Sequence, residues 1–492
     1  MIKRLLTAWR GSAPRGRMAF WPAVRARFDS AQTTGENRRH WQHADGLAPN
    51  AAVSPEVRRI LRNRARYEVA NNSYARGMVL SLAEYTVGTG PRLQMLSEDG
   101  ALNRRVEGLF RAWAEEIGLD EKLRTMRMAK ADAGEAFARL VTNNALASPV
   151  KLDLSLIEAD QVASPFPPGA DPGSVDGVLY DADGNPAAYH VLRRHPGDSA
   201  AWSDPLAFEV VDADQMLHYY RPDRPGQCRG IPDLTPALPL FALLRRYTLA
   251  VIHAAETAAQ HAAVIYTEAP PGGEAEEVDT LETVELERNM ATVMPAGWKL
   301  GQMDAVQPTT TYAQFKGEIL NEIARCLNMP YNVAAGNSSG YNYASGRLDH
   351  QSWYRSIRVE QRRMRACVLD RVLQAWLREA VLIEDLLPQS LRTVGATAPH
   401  TWFWDGLEHV DPAKEANAQA TRLSSHTTTL AHEFARQGLD WEEELRQRAR
   451  EIRLMRELGL PMDTTTPGDQ PPEEATDARD AEEVEEPVAS RR

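Results

Sequence analysis

The chain has 492 residues, of which 43% are hydrophobic and 25% are charged, and its formal net charge is −12. This length exceeds a single compact core, so several folded parts are expected. The negative charge excludes a protein that coats nucleic acid with a basic surface, although it allows brief contact with a duplex. We find no segment with the twenty or so apolar residues that a membrane span requires, so no membrane is expected.

The cysteines indicate a reducing compartment. Cys228, Cys326 and Cys367 match no metal-binding spacing and cannot form a disulfide framework. Cys326 and Cys367 each follow an apolar helical pattern, which predicts buried core thiols.

Both ends of the chain have a strongly biased composition. Residues 1–30 contain seven basic residues and only Asp29 as an acid, with aromatic residues between them. This composition suits a nucleic-acid-touching or amphipathic arm, or a disordered terminus that charge keeps soluble. From Met462 the chain has ten acidic residues and three arginines, which predicts a disordered tail.

The first half of the chain combines helices with strands. The apolar periodicity predicts helices over 54–83, over 103–117 and from Glu121 to Gly134, then strands through 150–220. The turn 181–186 resembles the start of a calcium loop, but its glycine comes two places early and Leu192 stands where the bidentate Glu belongs. We therefore predict a hairpin turn there.

Pro236 opens an alanine-rich helix that the pattern predicts as far as Thr267. His253, Glu256 and His261 share it, but a carboxylate-bridged metal site needs a second helix with matching ligands, so a structural role is expected. Eight acidic residues and no basic one follow between Glu268 and Glu287, and the sequence ATVMPAGWKL then predicts a strand and a turn.

The segment from Met329 to Gly346 has no charged residue. Three glycines and Pro330 predict a loop without helix, between helical patterns that end at Leu327 and resume at Arg347 for about ten turns. A long loop between two helices is uncommon unless it has a function, although a plain surface connection is the alternative. Two more helical patterns, around 413–436 and 440–458, complete the folded part.

The order of these parts suggests a ring. One chain cannot bury the alanine-rich helix, the returning helix before Leu327 and the uncharged loop in one small core. Copies packed side by side around an axis would bury them, and the loop would then repeat as a neutral collar.

The chain also resembles the tailed-bacteriophage portal proteins of the lambda-like family. The resemblance rests on five segments that follow one another in the family's order: ANNSYARGMVLSLAEYTVGTGPRLQ (70–94), RGIPDLTPAL (229–238), VMPAGWKL (293–300), FKGEILNEIARCLNMPYNVAAGNSSGYNYASGR (315–347) and WDGLEHVDPAKEANA (404–418).

The resemblance implies a mixed α+β, helix-dominated portal fold that assembles into a ring, usually of twelve subunits. Its parts would be a basic arm (1–45), an N-terminal wing (46–235), an outgoing stem helix (236–267), a clip (268–300), a returning stem helix (301–328), a tunnel loop (329–346), a long helix (347–387), a C-terminal wing and crown (388–461) and an acidic tail (462–492).

The resemblance further implies a channel at one capsid vertex through which double-stranded DNA is packaged and ejected, without enzymatic activity or cofactor. The implied partners are other copies of the chain, the terminase large subunit, head-tail connector or adaptor proteins, and major capsid and scaffold proteins. The implied locations are the virion and, during assembly, the host cytoplasm.

Two surfaces follow as hypotheses. The DNA-facing tunnel loop would present Asn337, Ser338, Ser339, Tyr341, Asn342, Tyr343 and Arg347. The partner-facing clip would present Glu274, Glu276, Glu277, Asp279 and Glu282. A conduit must not hold DNA tightly, and a largely uncharged loop neutralises few phosphates.

Two other classes of protein stay open. A metal-dependent nuclease needs converging carboxylates, for which Asp153, Asp212 and Asp214 are candidates, but no nucleotide-binding, nucleophile or zinc motif accompanies them. A minor capsid or head-tail adaptor protein without a channel is the other alternative, in which the alanine-rich helix would pack inside one subunit.

Overall fold

The structure is a computed structural model that describes residues 35, 38–165, 173–198, 207–260, 264–267, 298–301, 311–388, 391, 398–406 and 412–460. Its helices are α1 Pro49–Ala52, α2 Pro55–Asn71, α3 Ser73–Val87, α4 Gly100–Glu116, α5 Leu119–Ala133, α6 Leu238–Gln260, α7 Tyr312–Cys326, α8 Tyr331–Ala335, α9 Tyr343–Met364, α10 Asp370–Ala380, α11 Pro412–Ser424, α12 Leu430–Arg436 and α13 Trp441–Glu457.

The strands form four small antiparallel sheets. They are β1 Arg92–Met95, β2 Glu135–Thr142, β3 Leu152–Ile157, β4 Ser174–Val175, β5 Val178–Tyr180, β6 Pro186–Leu192, β7 Phe208–Asp212, β8 Met216–Tyr220, β9 Val264–Thr267, β10 Trp298–Gly301 and β11 His400–Phe403. The sheet orders are β3-β2-β8, β4-β5-β6-β7, β1-β11 and β10-β9. The helix-dominated α+β class is therefore confirmed, and so is the hairpin turn between β5 and β6.

Asn72 divides the first predicted helix in two. Its backbone is extended, at φ −123° and ψ 115°, and its side chain accepts a hydrogen bond from the Tyr74 N–H at 3.1 Å. An asparagine that caps the next helix competes with continuation of the previous one. The predicted single helix over 54–83 is therefore wrong, although the helices predicted from Asn103 and Glu121 are confirmed as α4 and α5.

The alanine-rich helix ends earlier than predicted. α6 stops at Gln260, and Val264–Thr267 forms β9, whose partner is β10. Three β-branched residues and a tyrosine favour a strand once a partner strand is available, and helix periodicity alone does not reveal that partner.

The same helix corrects the expectation about membrane spans. The helical segment Thr235–Glu256 could cross a membrane, judged by its length and composition alone. Only 28% of the apolar stretch within it is buried. Most of this apolar helix thus lacks cover within the described part of one chain.

The long helix predicted over 347–387 is interrupted. α9 and α10 are joined by a π-helical turn, Arg365–Leu369, and α10 ends at Ala380. Of the two C-terminal helical patterns, the first is split into α11 and α12 because Thr429 caps α12 by accepting from the His432 N–H. The second is confirmed as α13.

The described residues form three core clusters; the smallest lies between the sheets around Phe137, and the two larger ones hold the helices in place. Of these two, the first packs α4, α5, β1, β2, β3 and β8 around α10, with Phe110, Trp113, Trp376 and Trp402 at its centre. The second packs α2 and α3 against α6, α7, α8 and α9. Cys367 borders the first cluster and Cys326 the second; both are half-buried free thiols, less buried than predicted.

The aromatic centre of the first cluster should dominate its stability. Trp376 is 1% exposed and its ring lies 5.4 Å from that of Phe110, so Trp376→Ala leaves a cavity. We expect a loss of about 3–5 kcal/mol in the free energy of unfolding, measured by chemical denaturation. Trp41→Ala is the matched control, since Trp41 is 50% exposed, and should change the free energy by less than about 0.5 kcal/mol. Equal losses would contradict this picture of the core.

Candidate functional site

The uncharged segment between α7 and α9 is shorter than predicted, because helices occupy both ends. α8 takes up five residues and ends where Gly336 adopts φ +63°, a conformation that favours glycine. Asn342 then starts α9: its side chain accepts from the Ser345 N–H at 2.8 Å, and the Ser345 hydroxyl oxygen accepts from the Asn342 N–H at 3.3 Å. The prediction of a helix-free 329–346 is wrong, and the open turn spans 336–342.

The structure brings most of the predicted loop residues onto this one turn. Asn337, Ser338, Ser339 and Asn342 are exposed, and Tyr341 is half-buried. The Tyr343 side chain lies outside the described residues, while Arg347 is exposed on α9, beyond the turn. The turn therefore presents amide and hydroxyl groups and no charge.

The base of the turn is fixed by aromatic and amide contacts. Asn332 Nδ2 lies 3.0 Å from His350 Nε2 on α9 and 3.4 Å from Ser338 Oγ. Trp353, 1% exposed, packs its ring 4.2 Å from that of Tyr85 on α3. An exposed turn thus stands on a rigid base, an arrangement typical of a functional loop.

Several predicted site residues cannot be placed. The clip residues Glu274, Glu276, Glu277, Asp279 and Glu282 lie outside the described residues, and so does His261. On α6, His253 Nδ1 lies 3.2 Å from Glu256 Oε2, and both side chains are exposed. These two residues pair with each other on the helix surface.

Two buried charge networks were missed by the sequence analysis. In the first, Glu135 is 0% exposed and Arg229 1%. Arg229 Nη2 lies 2.6 Å from Glu135 Oε1, and His218 Nε2 and the Gly230 N–H both approach Oε2, at 3.0 and 3.1 Å. Burial opposes ionisation of Glu135, but the Arg229 charge and the hydrogen bonds from His218 and Arg229 hold its pKa well below the ordinary value.

The first network also binds α2 to the sheets. Arg62 contacts Glu135 at 3.5 Å and Asp160 at 2.8 Å, and Arg58 pairs with Asp176. Burial, followed by the charge of Arg229, lowers the pKa of Arg58 to about 9. Three arginines in one buried site therefore depend on their carboxylates, and loss of one carboxylate would leave unpaired buried charge.

The second network joins α5 to the long helix. Asp233 Oδ2 lies 3.2 Å from both Lys130 Nζ and Arg127 Nη1, and Lys130 Nζ also lies 3.1 Å from Glu360 on α9. The Tyr219 hydroxyl donates to Glu360. Burial opposes ionisation of Asp233, but the charges of Lys130 and Arg127 bring its pKa to about 2.

Both networks include residues of the segment Arg229–Asp233. The backbone of this segment touches the backbone at Gly134, because neither Gly230 nor Gly134 has a side chain. A Cβ on Gly230 would lie 2.1 Å from the Gly134 carbonyl oxygen, and one on Gly134 would lie 2.4 Å from Ile231 C. Only glycine permits this approach. The signal in the sequence is the charge-Gly-X-Pro-charge pattern at 229–233, which also belongs to the family resemblance.

A cavity of about 320 Å³ lies between α2, α3, α5, β2 and β3. It is lined mainly by apolar side chains, and its charged lining residues are Arg66, Arg76, Asp132, Glu135 and Glu158. Burial raises the pKa of Asp132 to about 6, against the opposing charge of Arg66. The described lining offers no nucleophile beside a base, so the cavity has no catalytic arrangement of that kind.

Metal-binding geometry is poor in the described residues. Glu158, Asp160 and His195 bring three ligand atoms within 4.8 Å of one another, but Arg66 donates to both carboxylates, at 3.1 and 2.8 Å. The three candidate carboxylates of the nuclease alternative do not converge into such a group in the described part of the chain. Asp153 pairs with Lys122, while Asp212 and Asp214 are exposed.

Comparison with known proteins gives a consistent result. A sequence model of the family described as "Phage portal protein, lambda family" matches residues 34–361. A "Probable portal protein" of Halomonas phage phiHAP-1 is 25% identical, with 94% of each chain covered. A "Portal protein" of Escherichia phage N15 is 24% identical, covering 87% of this chain and 89% of its own.

Among solved structures, a chain from the neck of an empty GTA particle computed with C6 symmetry aligns with 77% of this chain and 93% of its own length. Its TM-score is 0.45 at 16% identity. A score of this size carries no argument about the fold, which rests on the described elements and on the family match.

The glycine contact gives a sharp prediction. Gly230→Ala should lower the free energy of unfolding by about 2–3 kcal/mol, because its Cβ overlaps the Gly134 carbonyl. Gly340→Ala is the matched control: a Cβ there meets nothing within 4 Å, so the change should be neutral or slightly stabilising. Chemical denaturation of both variants compares them directly, and equal stability would show that the two backbones do not touch.

Asp132 gives a prediction about pH. Its pKa in the folded protein, about 6, lies above the ordinary 3.8, so folding favours the protonated form and stability falls as pH rises from about 4 through 6. Asp132→Asn, which mimics the protonated carboxyl, should stabilise the protein by about 2 kcal/mol at pH 7 and change little at pH 4. Unfolding curves at the two pH values measure this difference, and an equal effect at both would contradict it.

Proposed function

The chain belongs to the lambda family of phage portal proteins, and from that membership we propose that it assembles into a closed ring, expected to hold twelve subunits, around a DNA channel. Portal proteins of this family are structural rather than enzymatic. The proposal concerns three properties: the closed ring, the number of its subunits and the passage of DNA through it.

The observation that carries the proposal is the uncovered surface of α6. Its buried residues, such as Phe241, Leu244 and Val251, lie on one side. Leu243, Leu249 and Ile252 are 55%, 46% and 48% exposed. At 100° per residue, Leu243 lies about 160° from Phe241 and Leu249 about 80° from it, while Ile252 continues the buried side toward the end of the helix. The large apolar side chains that α6 leaves exposed favour partners beyond those of its own subunit. Neighbouring copies in a ring would provide them without a membrane.

The turn 336–342 suits the wall of such a channel. Its exposed Asn337, Ser338, Ser339 and Asn342 offer hydrogen bonds but no positive charge. Each neutralised phosphate releases counterions and stabilises a bound state, so an uncharged turn touches passing DNA without holding it. Arg347, the one charged member of the predicted loop set, is exposed on the helix that follows the turn.

The remaining roles follow the family's arrangement. The acidic segment 268–300 would face the terminase large subunit during packaging and head-tail connector proteins afterwards. The wing and crown would face the major capsid and scaffold proteins at one vertex of the virion, after assembly in the host cytoplasm. A minor capsid or adaptor protein without a channel would not form a closed ring, and this difference separates the two functions.

Ring assembly should depend on α6. Ile252→Glu places a charge on a side chain that is 48% exposed in one copy, so the subunit should keep its fold, measured by circular dichroism. The assembled fraction should fall at least about tenfold in light-scattering chromatography without detergent, because a carboxylate would be buried between copies.

The control is Leu382→Glu. Leu382 is 66% exposed and lies outside α6, so this variant should assemble like the unmodified chain. Assembly of Ile252→Glu at the unmodified level would contradict the proposal. A requirement for detergent to keep the unmodified protein in solution would favour a membrane span instead.

A further inference from the structure

Four arginines lie on the outward face of α9, and only one of them, Arg347, belongs to the predicted loop set of the DNA channel. They are all exposed: Arg347, Arg355, Arg358 and Arg362. At 100° per residue they fall within a sector of about 80°. The buried Trp353, Ile357 and Met364 lie on the opposite side. We call these four arginines the arginine face.

Within the described residues, no side chain pairs with the charges of the arginine face. None of the four side chains forms an ion pair or hydrogen bond with the described residues. Glu360 on the same helix turns inward to Lys130, at 3.1 Å, and Asp349 lies about 160° from the middle of the face. The acidic side chains Glu360 and Asp349 therefore lie away from the arginine face, which carries a concentrated positive charge.

Apolar side chains border the arginine face. Leu348 is 67% exposed and Val359 is 63% exposed, and both lie about 60–80° from the middle of the face. Arginine mixed with exposed aliphatic residues is typical of a protein interface, whereas a track for phosphates needs cations and polar groups. The composition therefore favours a protein partner with acidic and apolar groups.

Such a surface exists on the same chain, on α7. Phe315 is 51% exposed, and Glu318 and Glu322 are exposed within about 60° of it around the helix. Neither glutamate has an ion pair with the described residues. Arg325 follows at the end of this surface, where it donates to Asn328 Oδ1 at 3.1 Å. We call Phe315, Glu318 and Glu322 the acidic face.

We propose that the arginine face of one copy docks on the acidic face of α7 in the neighbouring copy. Both helices bury their other sides in the same core cluster, so each face is presented outward by a rigid support. A head-to-tail contact between two different patches of one chain is what a closed ring requires. The inference rests on the proposed ring and deepens it by assigning the surfaces that meet.

Charge reversal tests the pairing. Arg355→Glu with Arg358→Glu should lower the assembled fraction at least about tenfold, and so should Glu318→Arg with Glu322→Arg, because like charges would then face each other. The chain with all four changes should recover assembly. Mass photometry of the purified full chains measures each assembled fraction, and circular dichroism checks that each variant folds.

The control reverses two exposed arginines on another helix, Arg450→Glu with Arg453→Glu, and should assemble like the unmodified chain. An equal loss in this control, or no recovery in the fourfold variant, would overturn the pairing.

If Arg355→Glu with Arg358→Glu forms normal rings but binds duplex DNA more weakly, the arginine face would be assigned to nucleic acid instead. If the unmodified chain forms no ring, the proposed function itself fails; if it forms rings and both double variants do too, only the pairing fails.

Discussion

The fold depends on the burial of two carboxylates, Glu135 and Asp233, among arginines and a lysine. Each is almost fully enclosed, and each is stabilised as an anion only because its partners are enclosed with it. Arg229 and Asp233 lie four residues apart on a segment that passes directly over Gly134. This segment therefore connects α2, the sheets, α5 and α9, and it fixes the base on which the exposed turn stands.

This rigid centre contrasts with helices that lack partners. The described part of one subunit leaves large apolar side chains of α6 exposed, and leaves opposite charges uncovered on α7 and α9. The uncharged turn 336–342 lies between α8 and α9, close to these surfaces along the chain. A ring of copies would cover the apolar and charged helices and leave the turn exposed toward the axis, which gives one explanation for both features.

The sequence predicted what periodicity and turn chemistry control. Helices α4 and α5 and the hairpin at Asp181 follow from local patterns, and succession of motifs indicated the family. The break at Asn72 and the end of α6 at Gln260 were missed, since a cap and a pairing strand can override apolar periodicity.

The helix that begins at the end of the uncharged segment depends on a capping box at Asn342. The buried networks were missed because Arg229 and Asp233 look like surface charges until the fold encloses them, and the predicted clip residues lie outside the described chain.

We expect this chain to form a ring with an open axis. The most direct measurement is negative-stain electron microscopy of the purified protein, with class averages viewed along the particle axis. We predict closed rings with a central hole and a single dominant symmetry, expected to be twelve-fold. A uniform population of compact monomers, unchanged at high protein concentration, would contradict it and would favour a minor capsid or adaptor protein without a channel.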